Sequence, residues 1–200
     1  MSYRLAFYDE GHRYELNGEE IPSVSEILRF LSREVYGEID RYLLDHAAER
    51  GTAVHEATQE LDRTGSCEIE LPYQGYLEAY ARFLRDHRVE WTLTEKPMAD
   101  PIRKYAGTLD RAGYLDGYFS IVDLKTNQAV KKSLVKAQLN AYYLLAMANH
   151  IGPVDRLWCL QLCENGRYRL YNVKIDETEF RASLELHKAL KKKHGRMRIE

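Results

Sequence analysis

The feature that most constrains this fold is a two-residue turn near the middle of the chain, Asp116-Gly117. Both positions of a tight two-residue hairpin turn need positive φ, which this dipeptide tolerates well. If the turn forms, Leu115 pairs with Tyr118, and the same register sets Asp110 directly opposite Asp123. Opposed residues on antiparallel strands have Cβ atoms about 4.5–5.5 Å apart. The sequence therefore predicts two carboxylates facing each other on neighbouring strands.

Two facing carboxylates destabilise an ordinary sheet, because like charges repel, unless a hard cation lies between them. Lys125 lies two residues beyond Asp123 on the same face of its strand, where an ammonium could stabilise the charge that develops when a phosphodiester is attacked. These residues indicate a metal-assisted phosphodiester hydrolase. The alternative is a surface hairpin with solvated aspartates and a lysine that only forms salt bridges. A bulge or a longer turn would also move Asp110 away from Asp123.

Four short motifs occur in a definite order along the chain. They are Gly51-Thr52-Ala53-Val54-His55, Gly107-Thr108-Leu109-Asp110, Ile121-Val122-Asp123-Leu124-Lys125-Thr126 and Gln138-Leu139-Asn140-Ala141-Tyr142. This arrangement resembles the core of the PD-(D/E)XK nuclease superfamily, and within it the RecB-like and phage-type exonuclease branch. The resemblance covers roughly residues 51–143.

The resemblance implies a role for each matching position. The metal ligands that it implies are His55, Asp110, Asp123 and the carbonyl of Leu124. Such a mixed nitrogen and oxygen set suits Mn²⁺ at least as well as Mg²⁺. The catalytic set that it implies is Asp110, Asp123, Lys125, Gln138, Tyr142 and Glu95. Glu95 could hold a second metal or a water, or it could instead pair with Arg103 or Lys104.

DNA is the partner that this resemblance implies, and the predicted contacts to its backbone are Thr126, Lys131, Lys132 and Lys136. The charge distribution agrees with such a partner, because residues 1–100 are acidic and residues 101–200 are basic. The alternative is that the two halves pack together and share a mixed surface. The basic run at 187–198 is equally compatible with a DNA contact and with a solvated tail. The phage-type branch also implies a single-strand annealing recombinase as a partner.

The composition limits the class of protein. Two hundred residues suit one domain with a proper core, and no apolar run approaches the ~20 residues of a membrane span. No secretory signal pattern is visible at the N-terminus, so a cytoplasmic location is the default. Cys67, Cys159 and Cys163 form no CxxC pair, which predicts free thiols and no iron–sulfur cluster.

The predicted fold class is α/β, with a mixed central β-sheet flanked by helices and an N-terminal β-hairpin. We expect one nuclease domain over residues 1–200, with a hairpin and helix at 1–35, a nuclease core at 51–175 and a basic C-terminal helix at 176–200. The hairpin turns at Asn17-Gly18 and covers an edge of the fold or forms one wall of the substrate groove.

Two further expectations concern local structure. A helical segment at 38–63 should break at Gly51-Thr52, with Thr52 capping its second half. In a strand at 90–97, alternation places Trp91, Leu93 and Glu95 on one face.

The expected activity is metal-dependent hydrolysis of DNA, from a free end, in phage or bacterial recombination or repair. Three alternatives remain open. One is a structure-specific or nicking endonuclease of the same fold. Another is a non-catalytic DNA-binding relative, and the third is an interaction protein in which the aspartates and the lysine pair at the surface.

Overall fold

The protein was analysed as a computed structural model, which describes residues 3–8, 10–37 and 41–196. Its strands are β1 (Leu5–Tyr8), β2 (Arg13–Leu16), β3 (Glu19–Ile21), β4 (Val89–Asp100), β5 (Tyr105–Leu115), β6 (Tyr118–Lys125), β7 (Arg156–Leu162) and β8 (Tyr168–Val173). Its helices are α1 (Val24–Ile27), α2 (Arg29–Tyr36), α3 (Arg41–Thr64), α4 (Gln74–Asp86), α5 (Lys132–Ala148) and α6 (Thr178–Arg196).

The central sheet has five strands in the order β4-β5-β6-β7-β8. All neighbours are antiparallel except β6 and β7, which are parallel because α5 forms the crossover between them. The sheet is therefore mixed and flanked by helices, as the sequence predicted.

The hairpin between β5 and β6 has the predicted register. Asp116 and Gly117 both have positive φ, 50° and 85°, and the strand pairs run from Leu115 opposite Tyr118 to Arg111 opposite Val122. Beyond that pair the backbone ladder stops, and the backbone N–H of Leu124 donates to Asp110 Oδ2 at 2.8 Å. The Asp110 carboxylate thus lies against β6, beside Asp123.

The edge strand β4 differs from the prediction. A bulge lies between Trp91 and Leu93, where these residues pair with Gly113 and Ala112, so Thr92 is the extra residue. Because a bulge shifts the alternation of faces, Trp91 packs in the core beneath α4 while Leu93 packs in the core beneath α5. The prediction that these side chains share one face is wrong. Glu95 has a φ of 43°, so its backbone also departs from regular strand geometry.

The N-terminal segment forms a three-stranded antiparallel sheet rather than a two-stranded hairpin. The predicted turn at Asn17-Gly18 is present, with φ of 53° and 83°, and joins β2 to β3. After β3, Ser23 and Glu26 form a capping box that starts α1. The small sheet packs on β4 and β5 through a core that includes Ala99 and Ala106.

Each face of the central sheet carries its own core. On one face α5, α6 and α1 bury residues such as Leu109, Ile121 and Leu145. On the other face α3 and α4 bury residues such as Val122 and Leu160. The aromatic stripe of α4 is part of this second core, because Tyr76, Tyr80 and Phe83 are all buried.

Helix α3 runs without interruption from Arg41 to Thr64, so the predicted break at Gly51-Thr52 is wrong. A glycine inside a helix costs only about 1 kcal/mol relative to alanine. Packing outweighs that cost here, since Val54 is fully buried and Arg50 Nε donates to Thr126 Oγ1 at 3.2 Å. Within the described part of the chain, no helix combines the length and apolar character needed to cross a membrane.

Candidate active site

A cleft of about 570 Å³ lies between the N-terminal sheet, α3 and the middle of β4 and β5. Phe7 and His12 line it on the side of the N-terminal sheet, so that sheet forms one wall of the cleft. His55 and Gln59, one helical turn apart on α3, line the opposite side.

Three of the predicted site residues meet in this cleft. His55 Nδ1 lies 3.0 Å from Glu95 Oε1, and His55 Nε2 lies 3.8 Å from Asp110 Oδ2. The potential ligand atoms of these three side chains all lie within 4.8 Å of one another. Glu95 therefore pairs with His55, and the alternative partners Arg103 and Lys104 contact Asp100 and Glu19 instead.

Asp123 and Lys125 form the deeper part of the site. The Asp123 side chain is 1% exposed, and Lys125 Nζ lies 2.8 Å from its Oδ2. The other oxygen of this carboxylate, Oδ1, has no hydrogen-bond partner among the described residues. A buried carboxylate in this state is costly, because desolvation is compensated by only one charge.

Burial and charge shift the proton equilibria of these groups. Burial, followed by the charges of Asp123 and Glu95, raises the pKa of Asp110 to about 6, although the nearby His55 opposes the rise. For His55, burial lowers the pKa, but Asp110 and Glu95 outweigh it and raise the value to about 9. Burial also lowers the pKa of Lys125, and the carboxylates of Asp123 and Asp110 reverse this, so the pKa is raised. Lys125 is therefore a cation at neutral pH.

The donor set fits a divalent cation. His55, Glu95 and Asp110 offer one imidazole nitrogen and several carboxylate oxygens, which suit Mg²⁺ or Mn²⁺. Asp123, on the neighbouring strand, would add a third carboxylate. Asp123 Oδ1 is the strongest indication, since it has no hydrogen-bond partner among the described residues and a cation would supply one. The backbone of Leu124 lies between Asp123 and Lys125, with its N–H bound to Asp110. The role of the Leu124 carbonyl as a ligand stays a prediction.

Gln138 and Tyr142 lie on one face of α5 and contact each other, with Gln138 Nε2 donating to Tyr142 Oη at 3.2 Å. Tyr142 lines the cleft beside Asp110. Burial, together with the charges of Asp110 and Asp123, raises the pKa of Tyr142 well above its usual value, so its hydroxyl remains protonated. Gly107 makes room for this side chain, because a Cβ there would lie 3.0 Å from the Tyr142 ring.

Sequence reasoning missed Arg111, whose side chain is completely buried behind the site. Its Nε donates to Asp62 at 2.7 Å and its Nη1 donates to Glu95 at 2.9 Å. Tyr80 donates to Asp62 at 2.8 Å and so completes the network. Arg111 thus holds Glu95 where it can contact His55. The available signal was an arginine inside a mostly apolar strand, because a buried arginine requires acidic partners.

The predicted DNA contacts are spread over the end of β6 and the start of α5. Thr126 is buried and accepts the hydrogen bond from Arg50, while the Lys131 ammonium lies 5.6 Å from the centre of the Tyr36 ring. Lys132 is exposed. Lys136 is paired with two carboxylates, at 2.8 Å from Asp176 and 3.5 Å from Glu179. Contact with DNA stays a prediction for all four residues. The basic run at 187–198 continues α6 to Arg196, and its last residues lie outside the described part of the chain.

The comparisons with known proteins found only distant likenesses. No protein-family model and no curated protein matches the chain. Among solved structures, a "putative exonuclease" from Eubacterium rectale is similar over 84% of this chain and 77% of its own, at 13% identity and a TM-score of 0.49. The alkaline exonuclease LHK-Exo from Laribacter hongkongensis is similar over 88% of this chain and 93% of its own, at 15% identity and a TM-score of 0.44. LHK-Exo in complex with dAMP gives 15% identity and a TM-score of 0.39, over 88% of this chain and 94% of its own. Likenesses this distant establish neither a family nor a function.

Proposed function

We propose that the protein is a metal-dependent deoxyribonuclease of the PD-(D/E)XK type. Two observations carry this proposal. His55, Glu95 and Asp110 meet in one cleft, with their potential ligand atoms within 4.8 Å of one another. The buried ion pair of Asp123 and Lys125 lies on the neighbouring strand β6, where Asp123 Oδ1 has no hydrogen-bond partner among the described residues. A surface hairpin with solvated aspartates would not bury both carboxylates, and Asp110 and Asp123 are 8% and 1% exposed. That burial counts against the interaction-protein alternative.

The side chains of the site would have different roles in hydrolysis. His55, Glu95, Asp110 and Asp123 would hold the cation. The chemistry that a bound divalent cation supplies is activation of a water and withdrawal of charge from the scissile phosphate. Lys125, a cation at neutral pH, orients the attacking water or stabilises the negative charge that accumulates on the phosphate oxygens.

The proposal extends to the substrate and the cellular role. Linear DNA degraded from a free end is the substrate that the sequence motifs of the phage-type branch favour, with Mg²⁺ or Mn²⁺ as the cofactor. A role in phage or bacterial recombination or repair, and an annealing recombinase as partner, rest on that resemblance alone.

The decisive experiment uses two DNA substrates in parallel, an end-labelled linear duplex and a covalently closed circle. Each is incubated with Mg²⁺, with Mn²⁺ and with EDTA. Asp123→Ala and Lys125→Ala test the site, and Glu164→Ala, at an exposed acid in the turn between β7 and β8, is the matched control. We expect metal-dependent loss of the linear DNA, abolished by both site substitutions and retained by the control.

The other outcomes identify the alternatives. Cutting of the circle would favour the nicking or structure-specific endonuclease. Absence of hydrolysis in both metals, with DNA binding intact, would contradict the catalytic proposal and leave a DNA-binding relative. Hydrolysis that survives Asp123→Ala would show that the activity does not belong to this cleft.

A further inference from the structure

A second cleft, of about 580 Å³, lies over β7 and β8, next to the strand that carries Asp123 and Lys125. Its floor is formed by β7 and β8, including Cys159 and Tyr171, and its rim by the start of α5. The mechanism proposed above makes no use of this cleft. Its size is in the range of small-ligand sites, about 300–1,000 Å³.

Strand register connects this cleft to the candidate active site. Asp123 pairs with Cys159, which in turn pairs with Tyr171, so these three residues form one row across β6, β7 and β8. Strands in a sheet lie about 4.8 Å apart, so Tyr171 stands roughly 10 Å from Asp123. A stacked nucleic acid strand rises about 3.4 Å per nucleotide, which makes this distance about three nucleotides.

A neighbouring row of residues across β6, β7 and β8 carries positive charge at both of its ends. Lys125 pairs with Gln161, and Gln161 pairs with Arg169 at the edge of the sheet. Gln161 is buried and holds the loop after β6 by donating to the carbonyl oxygens of Asn127 and Gln128, at 2.6 and 3.0 Å. These bonds fix the loop whose residues Gln128, Ala129 and Val130 line the second cleft.

Three cations line the second cleft without a carboxylate partner in the described part of the chain. Lys132, Arg169 and Lys174 all line it, and none of them pairs with a carboxylate in the described ranges 3–8, 10–37 and 41–196. By contrast, Lys136 at the same rim is paired with Asp176. Three uncompensated positive charges above a half-buried tyrosine ring match the chemistry of a single nucleic acid strand, whose phosphates take the cations and whose bases stack on aromatic rings.

We infer that the second cleft holds the single DNA strand on one side of the scissile phosphate. Tyr171 stacks on a base within about three nucleotides of the cut, and Lys132, Arg169 and Lys174 contact the phosphates. This inference rests on the proposed nuclease function, and it names the part of the substrate that the first cleft does not reach.

The test measures binding and hydrolysis separately. Binding of a fluorescein-labelled single-stranded DNA 12-mer to the full chain is followed by anisotropy in EDTA over a series of salt concentrations. We expect Arg169→Gln to weaken binding several-fold and to reduce the slope of log K against log salt by about 0.7, the contribution of one phosphate on a single strand. Arg167→Gln is the matched control, because Arg167 is exposed and does not line the cleft.

The stacking role of Tyr171 is separated from a structural role by two substitutions. The Tyr171 hydroxyl donates to Gln161 Oε1 at 3.1 Å, so Tyr171→Phe removes that bond and keeps the ring. Tyr171→Leu removes both. We expect about tenfold weaker binding for Tyr171→Leu and binding near the native value for Tyr171→Phe, since a lost base stack costs this much.

Each result bears on a different claim. Native-like binding by Arg169→Gln and Tyr171→Leu, in a protein that still hydrolyses DNA, would overturn the inference and leave the proposed function standing. Equal losses in Tyr171→Phe and Tyr171→Leu would show that the tyrosine acts through Gln161, which overturns the stacking role. If no DNA is hydrolysed in Mg²⁺ or Mn²⁺ while the substitutions still weaken binding, the nuclease proposal fails and the cleft remains a DNA-binding site.

Discussion

At the scale of single residues, the site depends on charged groups that are buried away from solvent. Asp123 is buried with one ionic contact, and the group that could compensate its charge further, a metal cation, comes from outside the chain. Lys125 has a different role. Its ammonium group neutralises negative charge but has no lone pair with which to bind a metal. Substitutions of these two residues should therefore have separable effects.

We expect Lys125→Met to lower kcat by about 10²–10³-fold, the effect typical of removing one preorganised charge-stabilising group. It should retain the rise in Tm that Mn²⁺ causes, since the metal ligands remain. Asp123→Asn should lose both activity and that rise. Steady-state kinetics and thermal unfolding with and without Mn²⁺ measure the two effects. A Lys125→Met variant that no longer responds to Mn²⁺ would contradict this division of roles.

Arg111 is the residue whose loss we expect to cost most stability. It is fully buried and compensates Asp62 and Glu95 at once. Arg111→Met removes the cation that Asp62 and Glu95 share and leaves them with Tyr80 and His55 as partners. Removing one partner of a buried ion pair costs about 3–5 kcal/mol. Urea unfolding of the variant beside Arg167→Met, an exposed arginine, measures the difference. A loss below about 1 kcal/mol would show that the network relaxes when its cation is removed.

At the scale of secondary-structure elements, two glycines from similar motifs have opposite surroundings. A Cβ on Gly107 in β5 would lie 2.9 Å from Val24 Cγ2 and 3.0 Å from the Tyr142 ring, whereas a Cβ on Gly51 in α3 would meet nothing within 4 Å. The first glycine is therefore needed for packing of β5 against α5. The second is not needed for any contact within the described chain.

We expect Gly107→Ala to destabilise the protein by about 1–3 kcal/mol through overpacking, and Gly51→Ala to stabilise it by up to about 1 kcal/mol through helix propensity. Urea unfolding of both variants measures the two changes in the free energy of unfolding. Activity is the second readout, because Gly51 lines the cleft. A Gly51→Ala protein that is more stable and less active would indicate that substrate approaches the α3 backbone there.

Asp176 connects two helices through its charge. It accepts from Lys136 Nζ of α5 at 2.8 Å and from the Thr178 hydroxyl at the start of α6 at 2.7 Å. These hydrogen bonds, that of Lys136 foremost, lower the pKa of Asp176 below its usual range. A lowered pKa means that the ionised form is favoured in the folded state, so its stabilisation is present above the ordinary aspartate pKa of about 3.9.

The lowered pKa of Asp176 determines how the stability of Asp176→Asn should depend on pH. We expect the variant to be less stable than the native protein at pH 7 and the gap to narrow as the pH falls below about 4, towards the lowered pKa. Urea unfolding at pH 7, 5 and 3 measures the gap. Glu185→Gln serves as control, because Glu185 makes a single exposed contact to Lys188. A gap that stays constant from pH 7 to pH 3 would assign the effect to packing.

At the scale of the whole molecule, the packing that holds the fold together does not depend on the candidate active site. Three hydrophobic cores hold the central sheet, its two helical layers and the N-terminal sheet together, and the metal-ligand candidates lie where these layers meet. Removing metal should therefore leave the protein folded and only lower its stability.

We expect the protein in EDTA to unfold cooperatively, and Mn²⁺ at 100 times its Kd to add about 2.7 kcal/mol of stability. For a chain of this size that corresponds to a Tm higher by about 5–10 °C. Calorimetry in EDTA and in rising Mn²⁺ gives both values. Loss of cooperative unfolding in EDTA would mean that the cation is part of the folded structure rather than a ligand added to it.

Local patterns in the sequence determined a large part of this molecule. The Asp116-Gly117 turn specified the register of β5 and β6, and so brought Asp110 beside Asp123, because a two-residue turn leaves the pairing no freedom. The Ser23 capping box, the Asn17-Gly18 turn and the mixed central sheet were likewise predicted, since each depends on residues close together in the chain or on alternating hydrophobicity.

Contacts between distant segments decided the remainder. The bulge at Thr92 and the positive φ of Glu95 follow from how β4 fits against β5, and they direct Glu95 towards His55 and Arg111. Helix α3 continues through Gly51 because Val54 and Arg50 find partners elsewhere in the fold. Such effects are absent from any local pattern, since their energies come from partners tens of residues away. For the same reason only the tertiary structure could show that Arg111 supports the site and that Tyr171 and Arg169 extend a row from it.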